Sequence, residues 1–292
     1  MMLAAAMLFG TTGTAQAFGP ADANPLSVGA VRQVIGGTVL LVIVLVWWLR
    51  VHGRRLPRWS GKVGWLVLAG ACVMAFQATF FFGTRSNGVA VGTVIALGSS
   101  PLFAGLFEWP RGHRPSRRWL AATGVAVAGI LLLSGAMGQV VTLQPAGVLA
   151  SLVAGTAYAG YAVSAAEVVQ RGVSTVPATA AIVGTSGLIG ATVLPFTDNA
   201  WLAEPRGLAV ALWMGAVTVV VAYLLMGAAL RHLSSSTAMT LGLAEPLTAA
   251  TLGVAVLGET LTPLQLIGML LVLSGVVITS TGREVPSLRV LA

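Results

Sequence analysis

One carboxylate, one guanidinium and three phenols stand inside otherwise apolar stretches of this 292-residue chain. Glu245 lies in LGLAEPLTAATLGVAVLGE, directly before Pro246. It is about ten residues into an apolar run, and at about 1.5 Å rise per residue that places it near the middle of a membrane-crossing helix. An ionised carboxylate at that depth is costly unless it is paired or faces water. Two readings follow. Glu245 lines a cavity and binds a proton or a substrate amine, or it is protonated and hydrogen-bonded inside the bundle.

Arg32 begins a second line of chemistry. It lies about five residues into its apolar run, close enough to an end for the side chain to snorkel to lipid headgroups. The alternative is a cavity charge that recognises a carboxylate. Tyr158, Tyr161 and Ser164 are spaced by three, which keeps them on one face of a helix. That face offers two aromatics and a hydroxyl to a substrate, or the tyrosines belong to an interfacial belt. Gln77, Tyr223, Thr237 and Thr240 are further polar groups in apolar runs, each readable as interhelical glue or as a ligand. Pro101 and Pro246 each remove a helix hydrogen bond, giving a gating hinge or a static bend. Ser99 and Ser100 stand beside Pro101 to satisfy freed backbone groups or to touch substrate. The candidate set for substrate or proton binding is therefore Glu245, Tyr158, Tyr161, Gln77, Ser99, Ser100, Tyr223, Thr240 and Arg32. Glu167 reads as an i,i+4 partner of Arg171.

The elements that carry these groups follow from composition. Hydrophobic residues make up 57% of the chain and charged residues only 8%, too few to cover a water-soluble domain of this size. Ten apolar runs, at 1–19, 27–49, 63–83, 87–109, 118–136, 145–168, 176–196, 207–230, 235–257 and 263–281, approach the length of about 20 residues that crosses a bilayer. Ala15-Gln16-Ala17 resembles a signal-peptidase site, but no basic residue precedes Arg32, so the first run reads as a span. The 36 glycines suit close helix packing. Cys72, alone of its kind, reads as a packing residue.

The net charge of +8 has a topological pattern rather than that of a nucleic-acid surface. Arg50, Arg54, Arg55, Arg58, Lys62, Arg111, Arg114, Arg117, Arg118, Arg171, Arg231, Arg283 and Arg289 fall on one side of a ten-span bundle, and Arg85 and Arg206 on the other. The positive-inside rule then puts both termini in the cytoplasm. Trp47 and Trp48 read as an anchor at that interface.

Spacing suggests a repeat. Gly10-Thr11 recurs as Gly155-Thr156, and Pro101 as Pro246, each 145 positions on. Ala122 and Gly129 recur as Gly268 and Gly275, 146 on. Two halves of five spans each must cross in opposite senses, the inverted repeat of secondary transporters. The expected fold is an all-α membrane protein of ten transmembrane helices in two inverted five-helix repeats, at 1–137 and 145–281, with a cytoplasmic tail at 282–292.

The segment PLTAATLGVAVLGETLTPLQLIGMLLVLSGVVI, from Pro246 to Ile278, resembles the end of an EamA-type domain of the drug/metabolite transporter superfamily. RQVIGG at 32–37, SSPLFAGLFE ending at Glu108 and WLAATGVAVAGILLL at 119–133 are similar to the same domain. The likeness spans nearly the whole chain. It implies ten helices, a bacterial inner-membrane location, and transport, often export, of amino acids or other small metabolites. One departure stands out: Leu257-Gly258-Glu259 is clear, whereas the first half offers Phe107-Glu108-Trp109-Pro110.

Gly184-Thr185-Ser186-Gly187 resembles the nucleophile segment of intramembrane proteases, but His52, His113 and His232 all lie in or beside basic loops, so no base is expected near Ser186. Packing is the better reading, and no enzyme activity is expected. No metal-ligand spacing or phosphate-binding loop is present, so no cofactor is expected. The expected partners are a small-molecule substrate, the bilayer and, through Glu245, protons. The rival class is a polytopic membrane protein that transports nothing, an assembly partner or a sensor.

Overall fold

A computed structural model of the chain describes residues 1–52, 62–112, 115–134 and 143–281, and helix occupies each of the ten apolar runs. The helices are α1 (Met2–Ala17), α2 (Pro25–His52), α3 (Val63–Asn87), α4 (Val89–Glu108), α5 (Arg117–Leu133), α6 (Pro145–Gln170) and α7 (Thr175–Val193). The eighth run is α8 (Pro205–Trp213), a π-helical stretch (Met214–Val221) and α9 (Ala222–Ala229). The ninth is α10 (Ser235–Gly242) and α11 (Ala244–Leu257), and the last is α12 (Pro263–Ser280). No strand occurs among the described residues. Arg54, Arg55, Arg58, His113, Arg114, Arg283, Arg289 and the tail 282–292 lie outside them.

Eight of these runs are long and apolar enough to cross a membrane. The other two, α1 and α5, have 16 and 17 residues. Outward faces carry Leu188, Phe196, Leu270 and Leu106, at 70%, 88%, 64% and 57% exposure. Such a belt of large apolar groups requires a hydrocarbon solvent to cover it.

Interior packing runs through small residues. The closest pairings are α3 with α6, α5 with α12, α2 with α7, α4 with α6 and α1 with α11. At the α4–α6 contact, a Cβ on Gly155 would strike Ser99 and the Ala96 carbonyl. At the α1–α11 contact, a Cβ on Gly10 would strike Thr248 and the Glu245 carbonyl. Gly129 of α5 meets Gly268 and Val272 of α12, while Gly275 meets Ala122 and Ala126, so these helices run antiparallel. The α2–α7 pair is antiparallel as well: Gly37 faces Val183, and Gly190 faces Ala30. Gly184 and Gly187 of the protease-like segment receive Leu41 and the Gln33 backbone of α2.

The ninth run departs from the single helix expected over 235–257. It breaks at Leu243, and α11 restarts at Ala244. Pro246 is the cause: its ring collides with the carbonyl four residues back, at Gly242, and disfavours helical geometry at the residue before it. Pro101 sits instead inside an unbroken α4.

Candidate substrate cavity

A cavity of about 670 Å³ lies between α1, α2, α3, α4, α5, α6, α9 and α11. Its inner wall is formed by Phe9, Arg32, Phe76, Tyr158, Tyr223, Glu245 and Pro246. The break at Leu243 positions the acid. Glu245 occupies the first turn of α11, where the free N–H groups and the helix dipole favour a negative charge. Glu245 is therefore at a half-helix start, a usual place for anion stabilisation in transporters.

Arg32 faces the same space from α2 and is only 8% exposed. Snorkelling is thereby corrected: α2 starts at Pro25, and the side chain turns inward rather than toward its end. Its Nε has no hydrogen-bond partner. Arg32 and Glu245 share the cavity without forming an ion pair; among the described residues Glu167 pairs with Arg171. A buried guanidinium and a carboxylate facing one void leave room for a ligand of both charges between them.

The aromatic wall is continuous. Tyr158 stacks on Tyr161 at 6.3 Å and packs on Phe76 at 5.1 Å. Tyr223 meets Phe9 and Tyr161 edge-on, at 5.3 Å each. Tyr161 itself stands behind this wall, 2% exposed, and supports Tyr158 and Tyr223 rather than lining the space.

The remaining candidates face elsewhere. Gln77 is buried with its amide unpartnered. Ser100 donates to the Leu97 carbonyl at 2.9 Å, the acceptor that Pro101 cannot supply with an N–H, and Ser99 donates to Ala96. Thr240 pairs with Thr123 at 2.9 Å between α10 and α5. A second depression, about 720 Å³, lies between α1 and α8 around Trp213 and Arg206. It holds neither the acid nor the tyrosines.

The family model for the EamA-like transporters matches residues 1–135 and 145–281. The chain belongs to the EamA-like transporter family. It is 38% identical over 283 residues to the uncharacterized transporter YwfM of Bacillus subtilis, covering 96% of this chain and 92% of that one. It is 30% identical over 280 residues to the threonine/homoserine exporter RhtA of Escherichia coli K12, covering 92% and 86%. A solved crystal structure shares the fold at a TM-score of 0.78 and 21% identity, over 96% of this chain and 94% of that one. The chain is thus a multi-pass membrane protein of a transporter family.

Within this EamA-type chain the cavity also uses residues that sequence reasoning passed over. Gln16 and Glu259 line its mouth, with Phe80, Phe81 and Thr93. FQATFFF at 76–82 was the available signal for the phenylalanines, but period alone does not tell a cavity face from a lipid face. Glu108 is 8% exposed and caps α10, accepting from the N–H groups of Ser235 and Ser236. The Glu167–Arg171 pair forms as spacing predicts.

Proposed function

We propose that this protein is a secondary transporter that exports small amino acids by alternating access. In this reading it has ten membrane-crossing helices in two inverted five-helix halves, 1–137 and 145–281. It sits in a bacterial inner membrane with both termini cytoplasmic.

The observation that carries the substrate class is the placement of Arg32 and Glu245 on one aromatic-walled cavity. Arg32 takes the substrate carboxylate, through bonds that are strong because both groups are charged. Glu245 takes the ammonium group, or a proton when the site is empty, and that exchange couples export to proton entry. Tyr158, Tyr223 and Phe9 enclose the side chain. The name of the RhtA relative makes threonine and homoserine the first compounds to try.

The packing supports the inverted halves. Matching α1 to α6, α2 to α7, and so on through α5 to α12, turns the α4–α6 contact into α11–α1 and α3–α7 into the π-stretch–α2 contact, all of which occur. The pairs α2–α7 and α5–α12 map onto themselves and are antiparallel, as inversion requires.

The test is counterflow in proteoliposomes with labelled threonine and homoserine, chased by their methyl esters and decarboxylated analogues. The reading expects the intact amino acids to exchange and both analogue classes to compete poorly. Esters competing as well as acids would remove Arg32 from its role. No exchange of any amino acid by folded protein would return the chain to the class of non-transporting membrane proteins. An imposed pH gradient that leaves transport unchanged would exclude proton coupling.

A further inference from the structure

Two carboxylates close the paired spans α4 and α10–α11, and they are employed differently. Glu108, at the end of α4, accepts from the backbone of Ser235, from that of Ser236 at 3.2 Å and from the Ser236 hydroxyl at 2.6 Å. It ties α4 to the start of α10, whose first N–H groups have no acceptor inside the helix. The neighbouring Ser235 and Thr237 are 1% and 3% exposed, so the junction of α4 and α10 is closely packed.

At the other end of the same spans the complementary parts are present but unjoined. Val89, the first residue of α4, and Glu259, just past α11, both line the cavity mouth. Val89 is 72% exposed, and the start of α4 has no side-chain cap. Glu259 is exposed, and no hydrogen bond reaches its carboxylate among the described residues.

The way Glu259 is held gives it a counterpart. Gly258 turns the chain back in the left-handed region, at φ 70°, and the Glu259 N–H donates to the Gly253 carbonyl at 3.0 Å. The carboxylate then lies where a side chain on Gly253 would project. Position 253 follows Glu108 by 145, the spacing of Pro101 and Pro246. The fold-back thus delivers an acid to the place that Glu108 holds in the first half.

We propose that Glu108 and Glu259 are alternating latches of the transport cycle. Glu108 holds α4 to α10 while the cavity is open at the Glu259 end. When the spans rock to open the Glu108 end, Glu259 caps the first turn of α4 and seals the present mouth. Both acids are positioning residues that act through helix ends and do not touch substrate. The proposal rests on the alternating-access reading, and its test needs no substrate.

Spin labels at Thr93 and Leu257, across the mouth, in a Cys72→Ala background report its width in lipid nanodiscs. Glu108→Gln is expected to raise the ratio of closed to open mouth by roughly tenfold, the size expected from losing bonds to a charged group. Adding Glu259→Gln to Glu108→Gln should bring the ratio back toward that of the parent, and Glu259→Asp should do so less. Ser236→Ala weakens the same latch more gently, should Glu108→Gln not fold. Closed-mouth populations that ignore Glu259→Gln would overturn the latch alone. A single distance in every variant would overturn the alternating-access reading itself.

Discussion

The two proline-bearing spans, α4 and α10–α11, solve one problem in two ways. In α4 the missing N–H of Pro101 is replaced by the Ser100 hydroxyl on the Leu97 carbonyl, and the helix continues. Around Pro246 no such repair is made, and the helix ends at Gly242 and restarts at Ala244. The residue before each proline follows from this difference. Ser100 is 1% exposed and serves its own backbone, whereas Glu245 stands in a new first turn and faces the cavity. Both spans carry a proline, and only the second is broken beside it.

That contrast can be attacked in order of expected effect. Glu245→Gln should reduce amino-acid counterflow by roughly a hundredfold, because a charged hydrogen bond and any proton exchange are lost together. Ser100→Ala in the other span should leave counterflow within a few-fold. Equal losses would mean that the two positions play one role. Overpacking comes next: Gly155→Val and Gly10→Val, at the α4–α6 and α1–α11 contacts, should each cost about 1–3 kcal/mol in thermal unfolding. A large cost at only one of them would argue against equivalent contacts.

Ser100→Ala should also lower stability by about 1 kcal/mol, since the Leu97 carbonyl loses its partner. The smallest change is expected in the stability of Pro246→Ala, because the surrounding packing already accommodates the break and the restored N–H gains at most one bond, to the Gly242 carbonyl. Its transport rate should nevertheless fall more than its substrate affinity, as the break closes toward a continuous helix. Affinity and rate falling together would favour a static bend.

Much of the architecture was legible in the sequence, and the reasons are physical. Apolar runs of bilayer length have few alternatives, so helix fills each of them. Glu245 was visible as an expensive residue. Its first-turn position was not, because the break at Leu243 is marked only by a proline three residues later. The choice between the two readings of Arg32 was not legible because α2 is apolar around most of its circumference, so no amphipathic direction showed which way the side chain turned. The π-helical stretch Met214–Val221 has no local cause in its residues. It lies where Gly215 and Val219 press on Ile35 and Gly36 of α2, a tertiary contact. Glu108 lacked a reading because its partners are the backbone of a segment 127 positions away.

The most direct test of the account is a competition experiment on the two cavity charges. Binding of a labelled amino acid is measured for the parent, Arg32→Gln and Glu245→Gln proteins, against competitors lacking either the carboxylate or the ammonium group. The account predicts a crossed pattern, in which Arg32→Gln no longer discriminates against the competitor without a carboxylate and Glu245→Gln no longer discriminates against the one without an ammonium group. Unchanged discrimination in both variants would contradict it.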